Sequence, residues 1–156
     1  MTQRKSYQLL LFFVVLVFIS SCSNLPSIVE IRGSSMEPSY PDGTNMFFSH
    51  MNPNEIHRGD IILYEFPLGS NTQYANRVVG LPGETVEIDI EKIFIDGELL
   101  SEPYPTYPAN YSGEWIVKDN QFFVLGDNRP DSFDSHLSGP VCFECIEGVL
   151  VIAEQK

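Results

Sequence analysis

The sequence has few basic residues. It carries 9 Lys and Arg against 21 Asp and Glu, a formal net charge of −12 over 156 residues. A negative field of this strength repels phosphate backbones, so nucleic-acid binding is disfavoured. Beyond the N-terminal segment the chain also has no long window in which apolar residues recur with the 3.6-residue period of a helix. A helical bundle is therefore disfavoured.

Long apolar runs are also lacking. Leu9 to Ile19 carries no charge, but at a rise of about 1.5 Å per residue it covers only about half of a ~30 Å hydrocarbon core. Arg4 and Lys5 precede this run, and the small residues 20–22, Ser-Ser-Cys, follow it. The segment is typical of a cleaved leader, and an uncleaved anchor or an ordinary secretory signal are the alternatives.

Cysteine is scarce, with three in the chain. Cys142 and Cys145 form a C-x-x-C pair, but two thiolates cannot fill a tetrahedral zinc site and no second pair accompanies them. A redox role would need a helix N-terminus after a strand, whereas Pro140 precedes the pair and a strand-like run follows it. We therefore predict a short structural disulfide between Cys142 and Cys145, and we expect no metal and no cofactor.

The chain does contain a succession of short strand signals between turns. Eleven Gly and eleven Pro are spread along it, and Asp96-Gly97 suits the tight turn of a hairpin. Residues 104–114, with two prolines, read as a loop or edge. The sequence therefore predicts a mostly β domain of short antiparallel strands and long loops. The predicted strands are 28–31, 45–48, 61–66, 77–81, 85–88, the hairpin 93–100, 121–125 and 146–152.

Three segments combine turn formers with polar residues that can do chemistry. Residues 33–38, Gly-Ser-Ser-Met-Glu-Pro, place a serine after a strand, with Met36 able to bury beside it and Pro38 fixing the exit. Residues 76–84, Asn-Arg-Val-Val-Gly-Leu-Pro-Gly-Glu, bring a polar pair into a buried strand that ends in a turn. Residues 126–136 crowd Gly, Asp, Asn and Pro next to charged residues. Each segment alone is also typical of an ordinary turn.

Together with Gly59-Asp60-Ile61-Ile62, these segments resemble the sequence boxes of the bacterial signal peptidase I family, in the family's order. The resemblance covers residues from about 28 to 153. It implies a β-barrel or sandwich domain near a membrane, acting as a serine endopeptidase that removes signal peptides with a Ser–Lys dyad. The serine before Met is the family's nucleophile, which is Ser35 here.

The chain departs from the family at the general base. The family's lysine stands immediately before Arg-Val-Val-Gly-Leu-Pro-Gly, where this sequence has Asn76. A serine hydroxyl needs a base that takes its proton, and an asparagine amide cannot accept one near neutral pH. Lys92, Lys118 and Lys156 lie outside every box. The sequence therefore predicts that the dyad is absent and the peptidase impaired.

The resemblance also implies supporting roles around this position. Ser132 would help to orient the base, and Arg77 would pair with Asp127. His136 stands where the family usually has an arginine paired with the box aspartate, here Asp134. A neutral imidazole can act as a base, so His136 is a candidate substitute base, although the simpler interpretation makes it a weaker partner of Asp134.

Two further expectations concern loops of the site. The family's oxyanion hole uses the nucleophile's backbone N–H and, in some members, a hydroxyl two residues earlier. That position is Gly33 here, so the hole rests mainly on the Ser35 N–H. Arg129 and Asp131 are expected to be loop charges.

The N-terminal segment sets the expected organisation and location. Residues 19–22, Ile-Ser-Ser-Cys, resemble the bacterial lipobox, which implies that Cys22 is acylated and becomes the mature N-terminus. We expect a lipoprotein-type signal peptide or membrane anchor over 1–21, a tether over 22–27 and a signal peptidase I-like domain over 28–156. The domain is expected to be membrane-anchored on the extracytoplasmic face, periplasmic or outer.

Three functional hypotheses remain open. The first is a signal-peptidase-type serine endopeptidase acting on exported preproteins with an atypical base. The second is a catalytically inactive homologue that binds extended peptides or modulates an active paralogue. The third is a structural β-rich surface lipoprotein. The expected partners are signal peptides or exported preproteins and, through the lipid or anchor, a membrane.

Overall fold

The computed structural model of the chain describes residues 26–154. The predicted leader over 1–21 and Cys22 lie outside the described residues, so the predicted domain boundaries stay a prediction. Residues 26–154 contain no helix long and apolar enough to cross a membrane.

The described residues are mostly β, which confirms the predicted fold class. They contain one short helix, α1 (Ser135–Ser138), and three 3-10 helices, Pro53–Glu55, Arg129–Asp131 and Phe143–Cys145. The eleven strands are β1 (Ser27–Glu30), β2 (Asn45–Ser49), β3 (Ile61–Glu65), β4 (Gln73–Gly80), β5 (Thr85–Asp89), β6 (Lys92–Ile95), β7 (Glu98–Leu99), β8 (Ser112–Ile116), β9 (Gln121–Leu125), β10 (Val141–Cys142) and β11 (Ile146–Glu154).

Seven strands form a large antiparallel sheet in the order β1-β2-β11-β3-β4-β9-β10. The late strand β11 lies in its middle, with Val149 opposite both Ser49 of β2 and Ile62 of β3. β1 is an edge strand. The turn between β1 and β2 carries the predicted nucleophile, so the order of strands places that turn at one side of the sheet.

The other four strands form a smaller antiparallel sheet in the order β7-β6-β5-β8. Asp96 and Gly97 have φ values of 50° and 83° between β6 and β7, as the predicted hairpin turn requires. The inner face of this sheet packs on β4 and β9 through a shared core, for example Val86 against Phe123. Within residues 26–154 the two sheets remain open instead of closing into a barrel.

β4 differs from its predicted length. It begins at Gln73, whereas the apolar pattern placed its start at Arg77. The earlier residues were missed because the strand contains a buried polar side chain, Asn76, which interrupts the apolar run. The two-residue strand β10 was also not predicted, because a pairing this short leaves no periodic pattern.

Candidate active site

A groove of about 370 Å³ runs between the end of β1 and the first half of β4. Residues 29–32 line one side and residues 71–76 the other, and Leu63 and Ser35 complete the lining. The β3 pairing covers β4 from Gln73 onward, whereas the β9 pairing begins at Arg77. The first half of β4 therefore has no strand partner on its second side among the described residues, and this half lines the groove.

Ser35 lies in the turn that follows β1, and the next residue fixes its place. Met36 is fully buried in the core with Met46 and Phe48, while Pro38 is exposed two residues later. Neither the hydroxyl nor the backbone N–H of Ser35 has a hydrogen-bond partner within residues 26–154. Both groups are thus available to a ligand in the groove.

The segment after β9 holds the Ser35 turn in position. The backbone N–H of Asn128 donates to the Ser35 carbonyl oxygen at 3.0 Å, and the Ser34 hydroxyl donates to Asp131 at 2.6 Å. A Cβ atom at Gly126 would lie 2.5 Å from the Ser35 carbonyl oxygen and closer still to Ser132 Oγ. A glycine at this position lets the two segments meet.

Asn76 is buried at the groove, with 1% of its surface exposed. Its Oδ1 accepts a hydrogen bond from the Tyr64 hydroxyl at 2.9 Å, and its Nδ2 donates to Ser132 Oγ at 3.3 Å. The structure therefore brings Asn76 and Ser132 into contact and places Asn76 in the same groove as Ser35. A side-chain amide here can bind a peptide group, but it cannot take a proton from a hydroxyl.

Tyr64 is a site residue that the sequence analysis missed. It is fully buried on β3, and burial, followed by the charge of Asp134, raises its pKa well above the usual range. The hydroxyl therefore stays protonated and remains a donor. The pairing of β3 with β4 could have revealed Tyr64. Ile62 of β3 lies opposite Asn76 of β4, and Tyr64 is two residues further along β3. Residues two apart on a strand point to the same face, so Tyr64 and Asn76 share one face of the sheet.

Arg77 and Asp127 form the ion pair that the resemblance implies. Arg77 Nε and Nη2 donate to the two Asp127 oxygens at 2.8 and 2.6 Å, and Nη1 donates to the Gly59 carbonyl oxygen at 2.9 Å. The guanidinium carbon lies 3.9 Å from the centre of the Tyr104 ring. Burial lowers the pKa of Arg77, but the hydrogen bonds and charge of Asp127 outweigh it and raise that pKa overall.

His136 contacts Asp134 and not the groove. Its Nδ1 lies 2.7 Å from Asp134 Oδ1, and its ring stacks on Tyr111 with centres 4.0 Å apart. The second Asp134 oxygen accepts the Gly126 N–H at 2.9 Å. His136 is absent from the residues that line the groove. The geometry therefore makes it a partner of Asp134, which leaves the substitute-base role without a contact to support it.

Arg129 is a correction to the sequence analysis, which expected a loop charge. It is 2% exposed, pairs with Glu102 and donates from Nε to the Gly126 carbonyl oxygen at 2.8 Å. The 3-10 helix Arg129–Asp131 turns this side chain inward, where acceptors surround it. Asp131 is exposed, as expected, but it accepts the hydrogen bond of Ser34.

Neither Cys142 nor Cys145 is among the residues that line the groove. Cys142 and Cys145 are joined by a disulfide across the 3-10 helix that precedes β11. Residues 26–154 hold no group of three or more His, Cys, Asp or Glu that could bind a metal ion.

Comparisons with known proteins agree with the sequence boxes. Residues 4–153 match the family described as signal peptidase, peptidase S26. Signal peptidase I V of Bacillus subtilis is 33% identical over 143 residues, covering 80% of this chain and 83% of the relative. Signal peptidase I of Leptolyngbya laminosa is 39% identical over 112 residues, covering 66% of this chain and 54% of the relative.

A solved structure gives the same result. The crystal structure of a signal peptidase I from Enterococcus faecalis V583 is 35% identical in sequence, with a TM-score of 0.52. The match covers 62% of this chain and 97% of that one. The chain belongs to the signal peptidase family, peptidase S26.

Proposed function

We propose that this protein binds the signal-peptide region of exported preproteins as an extended chain in the groove, and that its serine endopeptidase chemistry is impaired. The observation that carries the proposal is the buried asparagine at position 76, a residue that lines the same groove as Ser35. Family resemblance places a basic lysine at this position. The groove thus retains a nucleophile and lacks the group that would activate it.

The backbone geometry supports binding of an extended peptide. β1 is an edge strand, and residues 73–76 of β4 have no strand partner on their second side among the described residues. A peptide lying between the two can form main-chain hydrogen bonds with a strand edge, and the pockets beside it select alternate side chains. Apolar side chains from both borders, Val29, Ile31 and Ala75, supply surface for the apolar part of such a peptide.

The chemistry that remains is incomplete. In the reaction of the family, the Ser35 hydroxyl would attack the scissile carbonyl carbon while a base takes its proton, and the free Ser35 N–H would donate to the oxyanion. Asn76 cannot take that proton. Ser132, which would orient the base, instead accepts a hydrogen bond from the Asn76 amide. The expected rate of cleavage is therefore low or zero.

Complete loss of catalysis is the second candidate, favoured by the same Asn76. In that case the domain is an inactive homologue that holds peptides or modulates an active paralogue. The two candidates share the binding step and differ only in whether Ser35 forms a bond with the peptide. A structural lipoprotein, the third hypothesis, requires no peptide binding.

One experiment separates the three. The purified domain is mixed with a fluorescein-labelled synthetic peptide that has an apolar run followed by Ala-Ser-Ala, and both anisotropy and cleavage are followed. The proposal expects binding by the natural protein and by Ser35→Ala, with slow cleavage that only Ser35→Ala abolishes. Binding without any cleavage in either protein gives the inactive homologue. Failure of both proteins to bind would contradict the proposal and leave the structural role.

The location is part of the proposal. We expect Cys22 to be acylated after removal of residues 1–21, which would hold the domain on the extracytoplasmic face of a membrane through the tether over 22–27. Metabolic labelling with a fatty acid should mark the natural protein, and Cys22→Ser should remain an unlabelled, uncleaved precursor. Equal labelling of Cys22→Ser would contradict lipidation at this residue, and Cys142→Ser with Cys145→Ser is the matched control.

A further inference from the structure

The hydroxyl of Tyr64 has a single partner. The side chain is fully buried, and its O–H contacts the Asn76 amide and no other polar atom among residues 26–154. A buried phenolic hydrogen left without an acceptor costs free energy comparable to that of a lost hydrogen bond. The contact between Tyr64 and Asn76 therefore decides how the amide is turned.

The amide has one orientation that satisfies Tyr64. If Oδ1 faces Tyr64, the phenolic hydrogen has an acceptor, whereas a turned amide would offer it only the Nδ2 donor. Ser132 places no such condition on the amide, since a hydroxyl both donates and accepts. The Asn76 Nδ2 group is thus held away from Tyr64, with one hydrogen directed to Ser132 Oγ at 3.3 Å.

The second hydrogen of this NH₂ group has no acceptor among the described residues. Asn76 lines the groove in which residues 29–32 and 71–76 face each other. A ligand that completes the hydrogen bonding must bring an acceptor oxygen. A peptide lying extended between the two borders presents backbone carbonyl oxygens of this kind.

We propose that Tyr64 is a positioning residue that fixes Asn76 as a hydrogen-bond donor to a backbone carbonyl oxygen of the bound peptide. This inference rests on the proposed function, because it assigns the ligand chemistry of the same groove. A base at this position would accept a proton, whereas the Asn76 amide donates a hydrogen bond. Burial raises the pKa of Tyr64, so the phenol remains a donor at any ordinary pH.

The test is a double-mutant cycle on Tyr64 and Asn76. Tyr64→Phe, Asn76→Leu and the double variant are compared with the natural protein for affinity to the fluorescein-labelled Ala-Ser-Ala peptide. Tyr111→Phe is the matched control, because it removes the same hydroxyl from a residue that does not line the groove and whose buried O–H has no hydrogen-bond partner among the described residues. The double variant removes both polar partners together, so it leaves no buried group orphaned.

The proposal expects Tyr64→Phe to weaken peptide binding by about 3- to 10-fold, the range of one lost hydrogen bond. Asn76→Leu should weaken it at least as much, and Tyr64→Phe should add nothing in that background, because Tyr64 acts through Asn76. Tyr111→Phe should stay within about twofold. An equal loss from Tyr64→Phe in both backgrounds, or no loss in the natural background, would overturn the positioning role.

A second measurement keeps the test independent of peptide binding. In nuclear magnetic resonance spectra of the ¹⁵N-labelled protein without peptide, the side-chain amide signals of Asn76 should shift in Tyr64→Phe and stay in place in Tyr111→Phe. Unchanged Asn76 signals in Tyr64→Phe would refute the hydrogen bond itself. If the Asn76 signals shift in Tyr64→Phe but the natural protein binds no peptide, the proposed function fails while the orientation of Asn76 by Tyr64 stands.

Discussion

Asn76 and Arg77 are neighbours on β4 and are buried on opposite faces of the sheet. Arg77 directs its donors to fixed acceptors, the two oxygens of Asp127 and the carbonyl of Gly59. Asn76 has two neutral partners, Tyr64 and Ser132, and one amide hydrogen without an acceptor among the described residues. Arg77 is therefore part of the framework, whereas Asn76 keeps the donor hydrogen that the further inference assigns to a peptide.

In the proposed function, this difference separates the supporting framework from the altered centre. The ion pair of Arg77 with Asp127, the turn that carries Ser35 and the contact of Ser132 with Asn76 are all present in the structure. The family resemblance implies that the departure with the largest chemical consequence is the side chain at position 76. Because the framework around position 76 is present, we predict that a lysine introduced there gives the protein peptidase activity.

The largest expected effect is a gain of peptidase activity in Asn76→Lys. A positioned general base contributes about 10²- to 10⁴-fold, or about 3–5.5 kcal/mol of barrier. The rate should rise toward alkaline pH, because only the neutral amine accepts the proton of Ser35, and burial lowers the pKa of a lysine. Cleavage of a synthetic preprotein measures the gain.

The control for this gain is Asn76→Lys combined with Ser35→Ala, which should be inactive. Three results together would contradict the impaired peptidase: the natural protein cleaves at the rate of its relatives, His136→Ala abolishes that cleavage, and Asn76→Lys adds nothing. His136 would then be the base that activates Ser35.

The second prediction concerns the framework side. Arg77→Leu should destabilise the fold by about 3–5 kcal/mol, because it leaves Asp127, which is fully buried, without its counter-charge. Urea unfolding measures the loss. Arg32→Leu, the same change at an exposed arginine, should cost little. If Arg77→Leu is as stable as Arg32→Leu, the contrast between the two neighbours on β4 is lost.

The third prediction concerns the pH dependence of stability and two tyrosines. Tyr64 contacts Asn76, and the ring of Tyr104 lies over the guanidinium group of Arg77. Burial raises the pKa of both, with Glu102 adding to the rise at Tyr104. A raised pKa in the folded state means that stability is complete below the ordinary tyrosine pKa of about 10 and falls as pH rises above it, by at most about 1.4 kcal/mol per pH unit for each residue.

Unfolding free energies measured on both sides of pH 10 check this slope. Tyr64→Phe and Tyr104→Phe should each flatten it. A slope in both variants equal to that of the natural protein would show that neither tyrosine is linked to the alkaline loss of stability.

The smallest expected effect is that of reducing the disulfide. The bridge between Cys142 and Cys145 closes a very short loop, which constrains the unfolded chain little, so reduction should cost less than about 2 kcal/mol. Counting free thiols before and after reduction confirms the state of the pair. Because neither cysteine lines the groove, reduction should leave the activity of Asn76→Lys unchanged, and a large loss of that activity would contradict this expectation.

The sequence predicted which residues of the candidate site lie together, because these residues belong to motifs whose arrangement the family resemblance implies. The Ser35 turn, the ion pair of Arg77 with Asp127 and the contact of Ser132 with position 76 each involve residues within a recognisable motif. Tyr64 was missed because a tyrosine in an apolar strand reads as core until its register places the hydroxyl against Asn76.

Arg129 was misjudged for a related reason. A charge between Asn and Pro in a turn is typical of a solvated loop, and nothing near it in the sequence reveals the acceptors that bury it. One is the side chain of Glu102, which lies in a long loop far away along the chain, and another is the Gly126 carbonyl oxygen. Burial that depends on two distant loops meeting leaves no local pattern to read.

The position of β11 bears on the order in which the domain can assemble. β2 and β3 lie early in the chain, yet β11 separates them in the sheet. Nearly the whole domain must therefore be present before the sheet can close this gap, and pairing across so long a stretch of chain is slow. In the proposed function, the two borders of the groove are joined in one sheet only after β11 has paired, so the capacity to bind a peptide is acquired late in folding.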